Sequence, residues 1–195
     1  MTRFVLASKS PRRKELLDTL KIEYEVIESS VDESAVSKDE LPDIYVQKLA
    51  ILKSTDVASK IKSEVLVIGA DTIVEYEGRF LGKPKTREEA YEMIKLLSGK
   101  KHNVYTGICV TNSKTMEFTS TFEKTEIIFN EIEHNEIIKY INTDEPYDKA
   151  GGYAIQGYAN RFIENIVGDY NNVVGLPVYK LSNILKDEFD IDILD

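Results

Sequence analysis

At 195 residues and 42% hydrophobic, the chain can bury one substantial core, on the order of 70% of its unfolded surface, and predicts a single domain over residues 1–195. Its 34 acidic against 25 basic residues leave a net charge of −9, which argues against nucleic acid or an anionic membrane as the main partner. Any positive site must then be a local pocket.

The chain opens on a single charge, Arg3, and an apolar run too short for a signal peptide. With no stretch near the roughly 18 apolar residues of a membrane span, a soluble, cytoplasmic protein is expected. Phe4–Leu17, FVLASKSPRRKELL, reads as strand, loop and helix. Pro11 suits the first helical position, where its missing N–H costs nothing, and Ser10 serves as N-cap. Unpaired backbone N–H groups and the positive end of the helix dipole then share a space with the hydroxyls of Ser8 and Ser10 and the guanidinium groups of Arg12 and Arg13. That is a site for an anion such as phosphate. The other reading is a helix that simply starts here with two arginines in water. Against it, helix starts favour Asp or Glu in the first turn, whereas Arg12, Arg13 and Lys14 sit there, cations that need an outside partner.

This helix should run to about Leu20, and Glu23–Glu28 alternates as a strand. Glu28–Glu40, acidic and serine-rich, is a loop whose Asp32 and Glu33 either ligate a metal or are merely solvated, the commoner case. Pro42 opens a second helix, with Ile44, Leu49, Leu52 and Val57 at helical spacing and Lys48 and Lys53 among them, where lysine is ordinarily a surface residue. Glu64–Ala70 is nearly all apolar and reads as a strand buried on both faces, with Asp71 and Thr72 at or near its carboxyl end. A carboxylate there is costly unless paired or functional, the alternative being a cap or turn aspartate. Ile73–Leu81, with its Glu77-Gly78 turn, predicts a hairpin that returns Gly82-Lys83-Pro84 to its start and Lys83 towards Asp71.

Thr86-Arg87-Glu88-Glu89 has the spacing of a capping box for a helix stopping at Gly99. His102–Thr111 and Met116–Asn130, joined through Asn112-Ser113-Lys114, predict two long antiparallel strands. Cys109, the sole cysteine, lies in the first of them and reads as a buried, inert thiol. His134–Ile141 predicts a short helix, and EPYDKAGGYAIQG (Glu145–Gly157) a loop ordered by Tyr147, Tyr153 and Ile155. Arg161–Val167 predicts a strand, Gly168-Asp169 a turn, and Leu176-Pro177 the start of a terminal helix striped by Val178, Leu181, Leu185 and Phe189.

With two distant histidines and one cysteine there is no zinc-site spacing, HExxH or CxxC, and neither GxxxxGK[ST] nor GxGxxG occurs. What remains is a cationic site at Ser8–Arg13, carboxylates at Glu33 and Asp71, and lysines at Lys53 and Lys83. This is the kit for phosphoryl chemistry. Cations neutralise charge on a transferring phosphate, oxygen ligands suit Mg²⁺ or Mn²⁺, and a carboxylate can orient or deprotonate the attacking water.

The chain resembles the Maf family of nucleotide pyrophosphatases along nearly its whole length. The resemblance is carried by LASKSPRRKELL (Leu6–Leu17), GADTIV (Gly69–Val74), LGKPKTREEA (Leu81–Ala90), YTG (Tyr105–Gly107), EPYDKAGGYAIQG and VVGLP (Val173–Pro177), in the family's order. Lys9, where many relatives have a small residue, is the one oddity of the first block. The resemblance implies hydrolysis of a nucleoside triphosphate between the α and β phosphates, giving monophosphate and pyrophosphate with a divalent metal ion. It makes Asp71 the catalytic proton acceptor, sets Glu33 and Asp71 to the metal and water, and gives the triphosphate to Lys53, Lys83 and Arg13, beside Ser8. It ties the choice of base to Arg12, Thr72 and Gln156, in the combination of the dTTP/UTP subgroup, with modified pyrimidine triphosphates as further substrates. A glutamine amide fits a uracil or thymine edge, donating to O4 and accepting from N3–H. The fold it implies is α/β of the Maf/ITPase-like kind: a long, curved mixed sheet with flanking helices, two lobes around a cleft, and frequent homodimers. A competing function, also carried by the family, is a non-catalytic nucleotide-binding regulator of septum formation. An intact Asp71 favours the enzyme, because a pure binding site would gain by losing a carboxylate that repels triphosphate.

Overall fold

The apolar run before Asp71 becomes the strand from which the sheet is built outward. In the computed structural model, which describes residues 3–193, β3 (Leu66–Tyr76) pairs in parallel with β1 (Phe4–Leu6), and β1 in parallel with β2 (Tyr24–Val26). Parallel neighbours need crossovers, and α1 (Pro11–Asp18) and α2 (Pro42–Ala58) supply them. The remaining elements are β4 (Arg79–Leu81), α3 (Arg87–Leu97), β5 (Lys101–Asn112), β6 (Phe118–Phe129), α4 (His134–Ile141), β7 (Ile163–Val167), α5 (Tyr170–Val174) and α6 (Val178–Phe189). The result is an α/β fold with a mixed seven-stranded sheet in the order β2-β1-β3-β5-β6-β7, β4 pairing with β3. Among the described residues no helix is long and apolar enough to cross a membrane.

Two compact units share the chain. One is formed by the segments up to Asp71, Thr106–Glu123 and from Gly175 onward, the other by Thr72–Tyr105 and Lys124–Val174. Both are discontinuous, so neither is a module appended to the other's end.

In the first unit α2 lies directly on the strands. A Cβ at Gly69 would come within 2.8 Å of the Ser54 nitrogen and would overlap the Ala50 carbonyl, and one at Gly107 would meet the Gln47 nitrogen at 2.7 Å. Two glycines thus let helix backbone touch strand backbone, while Val46, Leu49, Ala50 and Val57 fill the space between. Cys109 is fully buried here, and burial pushes its thiol up, as expected for an inert cysteine.

In the second unit the expected hairpin forms with the register Val74↔Leu81 and Tyr76↔Arg79. Glu77 (φ 50°) and Gly78 (φ 76°) both take the left-handed region, the two-residue turn that matches strand twist. Thr86 caps α3 by accepting the Glu89 N–H at 3.2 Å, and the Glu89 carboxylate returns to the Lys85 N–H at 2.6 Å. β5 and β6 are neighbours joined by a short turn, a connection that only an antiparallel pair allows. The core packs Ile94, Leu97, Ile127, Phe129, Tyr140 and Phe162 together. Two differences from expectation stand out. β3 does not end near Asp71 but runs unbroken to Tyr76, because the first arm of the hairpin is a continuation of the same buried strand. The turn at Gly168-Asp169 leads into α5, too short to leave a helical period in the sequence.

Candidate active site

β1 delivers the chain into the predicted loop, and Ser10 closes it as N-cap, its hydroxyl accepting the Arg13 N–H at 3.4 Å. The Ser8 hydroxyl accepts the Ser10 N–H at 3.2 Å and one guanidinium N–H of Arg13 (Nη1) at 3.3 Å. Arg13 also donates from Nε to the Gly175 carbonyl at 2.8 Å. Arg13 is therefore clamped at both ends of its guanidinium, and the first turn of α1 carries no acidic residue. Desolvation lowers its affinity for a proton, Asp71 and Glu33 work the other way, and Arg12 adds to the lowering. The charges of Asp71, Arg12 and Glu33 thus all act on Arg13 within the first unit. Lys9 lies outside this group, exposed and paired with Glu28.

Lys53 corrects the expectation for helical lysines. Lys48 is exposed, whereas the Lys53 side chain is only 13% exposed and its ammonium stands 2.6 Å from Asp71 Oδ1 and 2.6 Å from Glu33 Oε1. The close seat of α2 on the strand around Gly69 is what lets a side chain one turn beyond Ala50 reach Asp71. Asp71 is 8% exposed in the interior of β3, and burial pushes its carboxyl up, against the lowering by Lys53 and Arg13.

Asp32 and Glu33, alike in the sequence as metal ligands or solvated carboxylates, have different partners in the structure. Asp32 accepts the Ser34 N–H at 2.9 Å and caps the short 3₁₀ turn Glu33–Ala35, which leaves Glu33 for Lys53. The approach to this turn is tied to α2, where Asp56 accepts the Ser30 N–H at 2.9 Å and Lys60 donates to the Ser30 hydroxyl at 2.7 Å. Tyr45, which the sequence reading passed over, is 6% exposed, and its phenol is pushed up by burial and by the charges of Asp71 and Glu33. The signal was present: Tyr45, Leu49 and Lys53 recur every four residues along one face of α2. Gly175, whose carbonyl orients Arg13, has no side chain to flag it.

The first unit thus gathers Ser8, Arg13, Glu33, Lys53 and Asp71, with Arg12 close enough to influence Arg13. The other expected site residues belong to the second unit: Thr72 is partly buried in β3 next to Asp71 in sequence, Lys83 is exposed after β4, and Gln156 is exposed in a turn. Among the described residues no group of three or more His, Cys, Asp or Glu gathers to hold a metal. What the site offers is two hard carboxylates drawn onto one positive charge, beside a clamped guanidinium at a helix start. A divalent ion of the Mg²⁺ type, usually held by one or two carboxylates with water and phosphate oxygens completing its shell, fits that donor set.

Residues 3–188 match the family described as Maf-like protein. The dTTP/UTP pyrophosphatase of Thermoanaerobacter sp. (strain X514) is 52% identical over 192 residues, covering 98% of this chain and 100% of that protein. Its counterpart in Alkaliphilus oremlandii is 49% identical with 100% of both chains covered, and that of Bacillus cereus (strain G9842) 48% identical, covering 99% of this chain and 98% of the relative. Among solved structures, the Staphylococcus aureus Ham1 protein aligns over 96% of this chain and 100% of its own, with a TM-score of 0.50 and 15% sequence identity, a likeness of fold.

Proposed function

The chain belongs to the Maf-like protein family, and on that premise we propose that it hydrolyses nucleoside triphosphates, dTTP and UTP first among them, to the monophosphate and pyrophosphate. The proposal covers modified pyrimidine triphosphates as well. The observation that carries it is the Lys53 ammonium at 2.6 Å from both Asp71 and Glu33, in the same unit as the Ser8–Arg13 clamp.

In this reading Arg13, held by Ser8 and Gly175, neutralises the triphosphate with Lys53 and Lys83, and the donors at the start of α1 add to its binding. Asp71 is the general base. It takes a proton from the water whose oxygen bonds to the α-phosphorus while the α–β bridging bond breaks and pyrophosphate departs with the electron pair. A carboxylate made more basic by burial is better suited to that transfer than a solvated one. Glu33 and Asp71 would hold Mg²⁺ or Mn²⁺, which when bound supplies positive charge to the phosphate oxygens. Arg12, Thr72 and Gln156 set the choice of base, Gln156 through its amide. A wrong base left with one buried bond unmade costs about 1 to 3 kcal/mol.

A nucleotide panel with Mg²⁺ or Mn²⁺ tests this, scoring products for dTTP, UTP, dCTP and purine triphosphates. Pyrophosphate and monophosphate from the thymine and uracil substrates are expected, with Gln156→Glu eroding the preference before it erodes triphosphate binding. Release of single phosphates would refute the reaction, equal losses for every base would refute the base-reading role, and binding without turnover would favour the regulator of septum formation.

A further inference from the structure

Gln156 is exposed in a turn closed by the Gly157 N–H on the Ala154 carbonyl at 3.3 Å. The chain before it is buried from Gly151 to Ile155, and the chain after it enters a 3₁₀ helix, Tyr158–Phe162. That helix lacks the usual side-chain cap, since its N-cap residue is Gly157. The cap comes instead from Glu145, at the opposite end of the EPYDKAGGYAIQG loop. Glu145 Oε2 accepts the Tyr158 N–H at 2.6 Å, and Oε1 accepts the Ala159 N–H at 3.1 Å and faces the Tyr140 hydroxyl at 3.1 Å. The same hydroxyl stands 3.0 Å from the Gly152 carbonyl, so Tyr140 touches both sides of the loop. Gly157 has an ordinary φ of −114°; it is glycine for space, because a Cβ there would overlap the Glu145 carboxylate.

We propose that Glu145 is the positioning residue for base recognition: its carboxylate fastens the backbone just beyond Gln156 and so fixes the Gln156 amide, without touching substrate. The proposal rests on Gln156 reading the base, as argued above. An amide that tells thymine from cytosine must be held to about 0.5 Å. Gln156 is exposed, so its amide takes that precision from the backbone that carries it. Ionised acceptors make bonds roughly twice as strong as neutral ones, and this carboxylate gathers three donors. Replacing it with an amide sets an NH₂ group against a backbone N–H.

The test is a double-mutant cycle read as the dTTP-to-dCTP ratio of kcat/KM, in wild type, Glu145→Gln, Gln156→Ala and the double variant. Glu145→Gln is expected to lower the ratio about tenfold, mainly through KM for dTTP, and to lower it no further once Gln156 is alanine. Equal losses for both nucleotides, or a full further loss in the Gln156→Ala background, would overturn the proposal by making Glu145 merely structural. If Gln156→Ala itself leaves the ratio unchanged, the base-reading premise fails, and the proposal with it. Should Glu145→Gln not fold, Tyr140→Phe removes one donor and keeps the ring; a two- to threefold fall in the ratio is expected, and an unchanged ratio overturns the proposal.

Discussion

Substituting Lys53 with methionine removes the ammonium shared by Asp71 and Glu33 while keeping most of the apolar stem. Breaking a buried ion pair from one side typically costs about 3 to 5 kcal/mol. Here Glu33 is exposed and recovers water, and Asp71 keeps the field of Arg13, so about 2 kcal/mol at pH 8 is the expected loss. For a chain of this size that is a fall in Tm of roughly 4 to 8 °C. The loss must also depend on pH. Burial already raises the Asp71 carboxyl, and removing Lys53 takes away its largest opposing charge, so the folded variant holds a proton that the unfolded chain releases. A carboxylate whose folded value is raised loses stability as pH climbs from the unfolded value through the folded one, so the cost should be largest at pH 8 and fade towards pH 4. Circular dichroism melts of both proteins at pH 4.5 and pH 8 read this directly. An equal loss at both would assign the effect to packing of the stem, and no loss at pH 8 would mean that the 2.6 Å contacts carry no stability.

His102 gives a second pH effect with the opposite sign. Fully buried, it is pushed down from the ordinary 6.5 to about 4 by burial, so its contribution is complete above pH 6.5 and is lost as pH falls towards 4. The loss should be about 3 kcal/mol, and His102→Gln should flatten that part of the stability profile measured by urea unfolding; an unchanged slope would show that another group carries it. Gly107→Ala forces a Cβ against the backbone of α2 at Val46 and Gln47, and overpacking of this kind costs about 1 to 3 kcal/mol. Because Lys53 rides on the same helix, Tm and kcat/KM should fall together, and a stable variant with wild-type turnover would refute the close seat of α2.

How legible these features were depended on how local their cause is. Pro11 and Ser10 announced the start of α1, and the turn at Glu77-Gly78 announced its hairpin, because each needs only neighbouring residues to state a backbone preference. The full length of β3 was not legible, since the polar pair Asp71-Thr72 interrupts the apolar pattern and reads as a strand end although the strand runs on to Tyr76. Lys53 looked like any helical surface lysine because its burial comes from Gly69, sixteen residues on, which admits α2 against the strand. Asp32 and Glu33 were indistinguishable by position, and only the capping bond to Ser34 separates them. Glu145 was unreadable as a cap because its donors, Tyr158 and Ala159, lie far along the chain.

In the proposed reaction Asp71, raised by burial and held by Lys53, accepts the proton from the attacking water. The direct measurement is pyrophosphate release from saturating dTTP by Asp71→Asn, with nucleotide affinity determined separately by calorimetry on a non-hydrolysable analogue. Turnover should fall on the order of a hundred to ten thousandfold while affinity is kept or improved, one repelling charge having gone. A variant that releases pyrophosphate at the wild-type rate would contradict it.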